Sequence, residues 1–330
     1  MSLANASPFA AIAVPYVAPD GREVIIAVVK ATFFRGKNGK LVLADSQIPV
    51  RIADVVREPD AEQSSILYPS DVGLERRGTD IVVVGEAIAK SPVKAMDVAV
   101  KVRERTVSLR VHGARFYYRS LGQIAIGPAA SFERKPISYE NAYGGTSDDH
   151  GVVERRNPVG RGIARTSGEL VDTPAPSIEH PAHPITSAGD KPEPVGFGAI
   201  ASYWLPRAKH VGTYDEIWKQ TRMPLLPLDF DSRYFNVAHP SLQIDEPLVA
   251  GDAVSILGMR EDGLFQIELP AFPVSVRAKR DDGQLFSGRP PVDLVLVEPG
   301  EGRVQLTARV VLPKGRGKTL LREVRVDIND

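Results

Sequence analysis

Hydrophobic residues follow two patterns along this chain, and both are typical of β-strands. Val24 to Phe34 is almost continuously apolar and rich in β-branched and aromatic residues, which predicts a strand buried on both faces. The pair Asn38-Gly39 follows it and predicts a tight turn into a partner strand. Ile81 to Ala89 repeats the buried pattern and predicts a second such strand.

The second pattern is a strict alternation of apolar and polar residues. Apolar residues fall at even positions from Val98 to Val102 and at odd positions from Val107 to Val111. Because unbroken extension would expose one of these two sets, the change of phase predicts a hairpin turn at Arg103 to Arg105. Short strands are also predicted at 116–118 and 124–126.

Alternation resumes after Pro240 and predicts a meander, with turns at Asp262-Gly263 and at 281–283. The most regular amphipathic strand runs from Val304 to Leu312. Its polar residues are expected to face solvent: Gln305, Thr307 and Arg309. A last alternating stretch, 324–328, closes the chain. Since strands occupy both ends of the chain, we expect the termini to share a sheet.

The middle of the chain, from about residue 131 to residue 206, has no sustained period and contains nine prolines. Aromatic residues keep recurring in it, whereas a disordered linker is depleted of them. We therefore expect an ordered, irregular insertion. The predicted fold is mainly β, with antiparallel sandwich- or meander-like sheets, a Pro/Gly-rich irregular middle and one or two short helices.

These patterns predict that the chain has three parts. A β-rich part spans 1–130, the irregular central region with a short helix spans 131–240, and a β-meander spans 241–330. The first and last parts are expected to pack as one assembly.

Residues 212–240 combine a helix-start signal with a concentration of aromatic residues. Thr213 and Glu216 have capping-box spacing, which predicts a helix from Tyr214 that ends before Pro224. The stretch after that helix is proline-punctuated and predicted to be stiff and extended. Such a segment either fills a core or docks a partner, and the core role is the commoner one.

Composition excludes several classes of partner and chemistry. Lys+Arg and Asp+Glu both number 41, so no global attraction to nucleic acid or to an anionic membrane is expected. The chain has no cysteine, which removes disulfides and cysteine-based zinc sites. The longest apolar run, eleven residues from Val24 to Phe34, is far shorter than the ~20 needed for a membrane helix. A start without basic residues is unlike a signal peptide, and we expect a soluble, cytoplasmic protein.

Three stretches resemble catalytic or ligand sites. Gly315 to Thr319 reads GRGKT, but a phosphate-binding loop needs glycine at the position of Leu312, so a basic hairpin turn is the better interpretation. His180 and His183 could bind a metal, although zinc needs further ligands.

The third stretch contains Asp229, Asp231 and His239. These residues could bind a hard cation or act as acid and base, but the two aspartates equally suit pairing with Arg233 or capping of backbone N–H groups. No nucleophile-and-base motif is present. We therefore expect no catalytic residue, metal or cofactor.

Seven motifs in order resemble one family. They are VVKATFF at 28–34, YENAYGG at 139–145, NPVGRG at 157–162, a W-x-x-R at 204–207, GTYDEIW at 212–218, RMPLLPLDFDSRYFNVAHP at 222–240 and FQIELP at 265–270. Their combination resembles the effector adaptor or chaperone family of bacterial type VI secretion clusters, long catalogued as a domain of unknown function. Tyr143 stands where phenylalanine is expected.

The resemblance implies a cytoplasmic, non-catalytic protein that binds a toxic effector and helps load it onto the secretion spike. The implied partners are the cognate effector, the valine-glycine-repeat spike protein and its PAAR-type tip, with no nucleic acid and no membrane. The residues that sit in the family's motifs are Tyr143, Gly144, Gly145, Asn157, Arg161, Trp204, Arg207, Gly212, Tyr214, Trp218, Pro227, Asp229, Phe230, Asp231, Phe235 and Asn236.

Whether each motif residue holds the fold or touches the effector stays open at this point. Our hypothesis is that 212–240 and the YENAYGG loop adjoin and that exposed aromatic residues there contact the effector. Two alternatives also stay open. One is a β-rich hydrolase or delivered toxin acting on a glycan or nucleic-acid polymer, and the other is a structural component of the injection apparatus.

Overall fold

The computed structural model describes residues 1–60, 63–147, 151–315 and 321–328. In chain order, its strands β1 to β26 are Ser2–Asn5, Ala10–Val17, Glu23–Arg35, Leu41–Leu43, Val55–Val56, Ile66–Tyr68, Thr79–Val83, Glu86–Val93, Ala95–Val102, Arg105–His112, Tyr117–Ser120, Gln123–Ile126, Phe132–Pro136, Tyr143–Gly144, Thr146–Ser147, Val152–Val153, Arg161–Gly162, Ile178–Glu179, Gln243–Ile244, Ala253–Leu257, Leu264–Glu268, Val274–Arg280, Leu285–Gly288, Val292–Glu298, Arg303–Pro313 and Leu321–Ile328.

Helices are few and short. The α-helices α1 and α2 are Leu205–Ala208 and Glu216–Thr221. Single turns of 3-10 helix occur at Tyr139–Asn141, Ser167–Leu170, Ser232–Phe235 and Pro240–Leu242. The protein is therefore mainly β, as the sequence predicts. None of the helices described here is long and apolar enough to cross a membrane.

A seven-stranded sheet forms the centre of the molecule. Its strands run in the order β19, β7, β24, β25, β3 and β2, with β4 added to the end of β3. The long strand β3 pairs antiparallel with both β25 and β2, which confirms the predicted central strand. The turn at Asn38-Gly39 and its partner strand β4 are also confirmed.

Two further sheets pack around the same hydrophobic core. The five-stranded sheet runs β18, β10, β9, β20 and β21, and the four-stranded sheet runs β1, β26, β22 and β23. Buried residues of all three sheets, among them Ala27, Val100 and Val276, belong to one apolar cluster. Strand β1 pairs parallel with β26, so the two ends of the described chain share a sheet as expected.

The hairpins follow the sequence closely. Strands β9 and β10 meet at Val102 and Arg105, and Arg103 between them has a φ of 50°. The predicted hairpins of β20–β21 and β22–β23 are formed as well. The short strands predicted at 116–118 and 124–126 correspond to β11 and β12, which pair with each other. Local alternation fixes these pairings because each hairpin needs only neighbouring residues.

The strand predicted at Ile81 to Ala89 is wrong in one respect. The stretch divides at Val84-Gly85 into β7, which joins the seven-stranded sheet, and β8, which pairs with β13. The residue pattern does not record this change of partner, since β-branched residues favour a strand in either sheet.

The prediction that Gln305, Thr307 and Arg309 face solvent is also wrong. All three side chains are buried, because the loop between β4 and β7 lies over this face of the sheet. From this loop, Arg51 Nη1 donates to Gln305 Oε1 at 2.9 Å, and Asp71 Oδ1 accepts from the Thr307 hydroxyl at 3.3 Å.

The stretch GRGKT falls mostly on residues 316–320, which lie outside the described residues. The strands that flank it, β25 and β26, pair into different sheets.

Candidate functional site

The motif residues of the irregular middle form a tightly packed junction around Asn157. This side chain is fully buried, and its Nδ2 atom donates to the carbonyl oxygens of Tyr139 and Tyr143, each at 2.9 Å. Tyr143–Gly144 (β14) pairs parallel with Arg161–Gly162 (β17). The amide of Asn157 therefore joins the YENAYGG and NPVGRG motifs to each other.

The paired glycines of YENAYGG are needed for this close approach. Gly144 has a φ of 146°, and a Cβ atom there would lie 2.2 Å from the carbonyl oxygen of Asn157. Gly145 has a φ of 118°, and its Cβ atom would lie 2.8 Å from the Gly160 carbonyl oxygen. A side chain at either position is excluded by the neighbouring backbone, so both glycines are structural.

Trp204 and Tyr139 connect this junction to α1. Trp204 is fully buried, and its ring meets the ring of Tyr139 edge-on at 5.2 Å between centroids. Burial raises the pKa of the Tyr139 hydroxyl far above its ordinary value. Both aromatic residues thus belong to the core and offer no surface to a partner.

Arg207, three residues after Trp204, holds the 3-10 turn Ser232–Phe235. Its Nε atom donates to the Tyr234 carbonyl oxygen at 2.9 Å, and its Nη1 atom donates to the Ile200 carbonyl oxygen at 2.8 Å. The guanidinium also lies over the Tyr234 ring at 5.3 Å. Burial lowers the pKa of Arg207 from its ordinary value. The W-x-x-R motif therefore has a structural role.

Asn236 anchors the same turn to the central sheet. Its Nδ2 atom donates to Asp80 Oδ1 of β7 and to the Arg77 carbonyl oxygen, both at 2.9 Å. The backbone N–H of Val237 donates to Asp80 Oδ2 at 2.5 Å. Burial raises the pKa of Asp80, although Arg76 and these hydrogen bonds act in the opposite direction.

The aromatic residues of this turn pack on the outer face of β3. Phe230, Tyr234 and Phe235 meet edge-on with centroids 5.5 to 5.8 Å apart. Phe235 is buried with Leu74 and with the apolar residues of β3 that face this side, and Phe230 and Tyr234 are half-buried against them. The bulk of this cluster is core.

Helix α2 starts later than predicted, and the capping-box prediction is wrong. The N-cap is Asp215, whose Oδ1 atom accepts the Trp218 N–H at 2.8 Å. Thr213 instead binds Asp229, which accepts its N–H at 3.0 Å and its hydroxyl at 2.8 Å. Aspartate is at least as good an N-cap as threonine, and the returning chain brings a second carboxylate to Thr213.

The loop after α2 is fixed to the body of the protein. Trp218 Nε1 donates to the Leu225 carbonyl oxygen at 2.8 Å. Arg222 Nε donates to the Leu226 carbonyl oxygen and Arg222 Nη2 to that of Pro19, both at 2.9 Å. Gly212 has a φ of 81°, and a Cβ atom there would lie 2.7 Å from Asp229 Oδ1. The chain thus closes on itself between 212 and 229.

Apolar side chains on this fixed segment remain in solvent. The exposed fraction is 47% for Tyr214, 70% for Ile217, 64% for Met223 and 87% for Leu228. We call these four residues the apolar ridge. Of the aromatic motif residues in 212–240, Tyr214 is the most exposed, and Trp218 beneath it is half-buried with their centroids 4.6 Å apart.

The two stretches expected to adjoin do lie close together. Tyr139 of the YENAYGG motif and His239 and Pro240 of the long segment line one cavity of about 240 Å³, together with Ile200 and Leu205. Pro227 is buried within the segment. The apolar ridge itself is not among the residues that line this cavity.

The histidines and aspartates considered as ligands have other roles. Asp231 pairs with Arg233, which lowers the pKa of that carboxyl to about 2, and it lies 3.6 Å from His210. His239 Nδ1 lies 2.6 Å from the Ser241 hydroxyl. The rings of His180 and His183 lie 5.3 Å apart on the surface. Among the described residues, no group of three or more His, Cys, Asp or Glu could hold a metal ion.

A buried layer of charges, which the sequence patterns did not predict, lies between the central sheet and the stretch that joins β4 to β7. Lys30 Nζ donates to Asp71 Oδ2 at 2.7 Å, and both side chains are almost fully buried. Arg309 pairs with Asp293 at 2.5 Å, and Arg76 lies 3.5 Å from the same carboxylate. In the sequence, polar residues occupy alternate positions of neighbouring strands. On its own, this amphipathic pattern predicts that they face solvent.

Residues 20–309 match the model of a family described as an uncharacterized protein conserved in bacteria (DUF2169). No curated protein and no solved structure matches the chain. Since the match extends over most of the sequence, from before β3 to the middle of β25, the chain belongs to this family of uncharacterised bacterial proteins.

Proposed function

We propose that this protein is an adaptor or chaperone that binds a toxic effector of a type VI secretion system and helps load it onto the secretion spike. The proposal rests on the seven motifs that resemble the adaptor family. It assigns no catalytic residue and no cofactor, and it takes the effector, the spike protein and its PAAR-type tip as partners in the cytoplasm.

The structural observation that supports the proposal is the apolar ridge. Four apolar side chains stand in solvent on a segment whose backbone is held by Trp218, Arg222 and Asp229. An exposed apolar patch marks a protein-binding site more often than isolated exposed residues do, and all four ridge residues fall within the short stretch 214–228. A fixed segment also loses little conformational entropy when a partner binds, which favours affinity.

The motif residues then divide into two roles. Asn157, Arg207 and Asn236 hold the framework, because each is buried and its side chain donates to backbone carbonyl oxygens. Trp204 also belongs to the framework, because its ring is fully buried. Tyr214 belongs to the surface that the framework presents. On this view, the buried motif residues form a scaffold that holds the ridge in place.

In the experiment, the tagged chain is expressed in its own cells and purified, and the proteins that copurify with it are identified. The proposal predicts a toxic effector and the spike protein among them, and a higher soluble yield of that effector when the two are coexpressed. An adaptor is harmless to its producer when expressed alone. Turnover of a glycan or nucleic-acid polymer by the purified chain would contradict the proposal.

A pair of matched variants tests the ridge. Leu228→Asp places a charge at an 87% exposed position of the ridge, whereas Leu121→Asp does so at a fully exposed turn between β11 and β12. Both are expected to melt like the wild type, since neither leucine is part of a core. Leu228→Asp should reduce effector recovery about tenfold or more, as hot-spot residues do, and Leu121→Asp should leave it unchanged. If both variants recover equal amounts of the effector, the ridge is not part of the interface.

A further inference from the structure

The motif FQIELP folds as the outermost strand of the five-stranded sheet. Its first four residues belong to β21, which pairs with β20 on one side and has no strand on its other side within the described chain. The packing of the core explains the apolar half of the motif, since Phe265 and Ile267 are buried. It does not explain the outer edge of the strand.

The hydrogen-bonding register shows which backbone groups lie on that edge. The N–H of Leu269 donates to Asp252 and the N–H of Gly258 donates to Gly263, so the odd-numbered positions of this strand bond to β20. Bonded and non-bonded residues alternate in an antiparallel pair. The N–H and C=O groups of Leu264, Gln266 and Glu268 therefore point away from the sheet. Arg35 Nε reaches the Gln266 carbonyl oxygen from that side, at 3.1 Å.

Two other sheet edges among the described residues are short or blocked, whereas that of β21 is neither. The edge strand β2 contains Pro15, and the edge strand β18 has only two residues. Strand β21 has five residues, no proline and an unshifted register with β20. Native proteins commonly protect edges by proline, bulges or short length, and β21 has none of these protections.

A groove runs beside this open edge. It has a volume of about 720 Å³ and lies between β21 and the turn that joins β3 to β4. Leu41, Leu269 and Ala271 supply apolar surface, and the charged residues that line it are Arg35, Lys40 and Glu268. Two positive side chains against one carboxylate give the groove a net positive charge.

We propose that β21 binds an extended segment of the effector as an added strand. The backbone of that segment pairs with Leu264, Gln266 and Glu268, while its alternate apolar side chains face Leu41 and Ala271. An acidic side chain of the segment meets Arg35 or Lys40, and Arg35 gives up the Gln266 carbonyl oxygen to a backbone N–H of the segment. Strand addition of this kind obtains affinity from main-chain bonds and specificity from alternate side chains. The edge and groove stand on geometry alone, and only the identity of the partner rests on the proposed function.

The test uses one substitution that removes an edge donor and one that does not. Gln266→Pro deletes the central N–H of the free edge and leaves the ladder to β20 intact, because proline is tolerated where the N–H faces outward. Gln266→Ala changes the same side chain and keeps the N–H. Circular dichroism melts establish whether both variants fold.

The probe is a library of random linear peptides displayed on phage and selected on the immobilised full-length chain. We expect enriched sequences to alternate apolar and acidic residues. The synthesised peptide should bind Gln266→Pro about tenfold more weakly than wild type, which corresponds to the loss of one backbone hydrogen bond, and Gln266→Ala within about twofold. N-methylation of alternate peptide residues tests the same bonds on the wild-type chain, even if Gln266→Pro does not fold. The inference is wrong if no peptide is enriched, or if neither the proline nor N-methylation weakens binding.

These outcomes are separable from those of the adaptor proposal. If a toxic effector copurifies equally with wild type and Gln266→Pro while no peptide is enriched, the adaptor function stands and strand addition fails. If peptide binding depends on the edge but no toxin copurifies from the producing cells, strand addition stands and the effector is not its occupant.

Discussion

The side-chain amide of Asn236 donates a 2.9 Å hydrogen bond to Asp80 Oδ1, across 156 positions of sequence. Both groups are fully buried. This contact ties the end of the long aromatic segment to β7 in the centre of the molecule. The stiffness of the surface presented by 212–240 therefore depends on a polar contact in the interior.

Asn236→Ala and Asn236→Asp should both destabilise the protein, the second more strongly. The alanine leaves Asp80 with one acceptor bond fewer, at a cost of about 1–3 kcal/mol. The aspartate instead brings a second carboxylate to a buried one, and like charges oppose ionisation. Urea unfolding measures both free energies. Because burial already raises the pKa of Asp80, the excess cost of the aspartate variant should shrink as the pH is lowered and one carboxyl of the pair becomes protonated. An excess that stays constant with pH would contradict this account.

Gly144→Ala should be among the most destabilising substitutions in the irregular middle. Its Cβ atom would lie 2.2 Å from the Asn157 carbonyl oxygen, and we expect a loss of roughly 3–5 kcal/mol from overlap together with backbone strain. Gly122→Ala is the control, because Gly122 has a φ of 80° and open space around it. That variant isolates the cost of positive φ, about 1–2 kcal/mol. Similar melting temperatures for the two variants would refute the close approach.

Asp71→Asn should lower the free energy of unfolding by an amount that depends on pH. Burial lowers the pKa of Lys30 to about 8 in the folded protein, so the unfolded chain binds more protons above that pH and stability rises with pH there. Removing the partner charge lowers the folded-state pKa of Lys30 further. The variant should lose about 3–5 kcal/mol near neutral pH.

The loss of unfolding free energy should decrease between about pH 7 and about pH 9. Over part of that range, Lys30 is protonated in the folded wild type but not in the folded variant. Glu216→Gln is the control, since it breaks the exposed pair with Lys219 and should cost little at any pH. Unfolding free energies at several pH values measure both. A loss of unfolding free energy that is independent of pH would show that the protonation of Lys30 does not respond to the substitution.

Trp218→Phe should loosen the loop after α2 without affecting the body of the protein. The substitution removes the donor to the Leu225 carbonyl oxygen, which contributes about 1 kcal/mol. Tryptic cleavage after Lys219 should accelerate about fivefold for that energy, while the melting curve stays close to wild type. Tyr214→Phe keeps the ring contact with Trp218 and should be cleaved at the wild-type rate. A large drop in melting temperature with Trp218→Phe would mean that this side chain is part of the main core.

Local sequence determined the strands and their turns. Period-two alternation and the turn residues at Asn38-Gly39, Arg103 and Asp262-Gly263 act over a few neighbouring positions, so they specify hairpins without help from the rest of the chain. The continuous apolarity of Val24 to Phe34 likewise predicts a strand covered on both faces. The motif residues were identified through the resemblance to a family, which did not give their roles.

Tertiary structure decided which polar residues are inside. Gln305, Thr307 and Arg309 have the alternation of a solvent face, and they are buried because a loop more than 200 residues away lies over them and supplies Arg51 and Asp71. It also decided that Asp215 and not Thr213 caps α2, because the returning chain brings Asp229 to Thr213. Burial and hydrogen-bond partners depend on what the distant chain covers, and no local pattern contains that information.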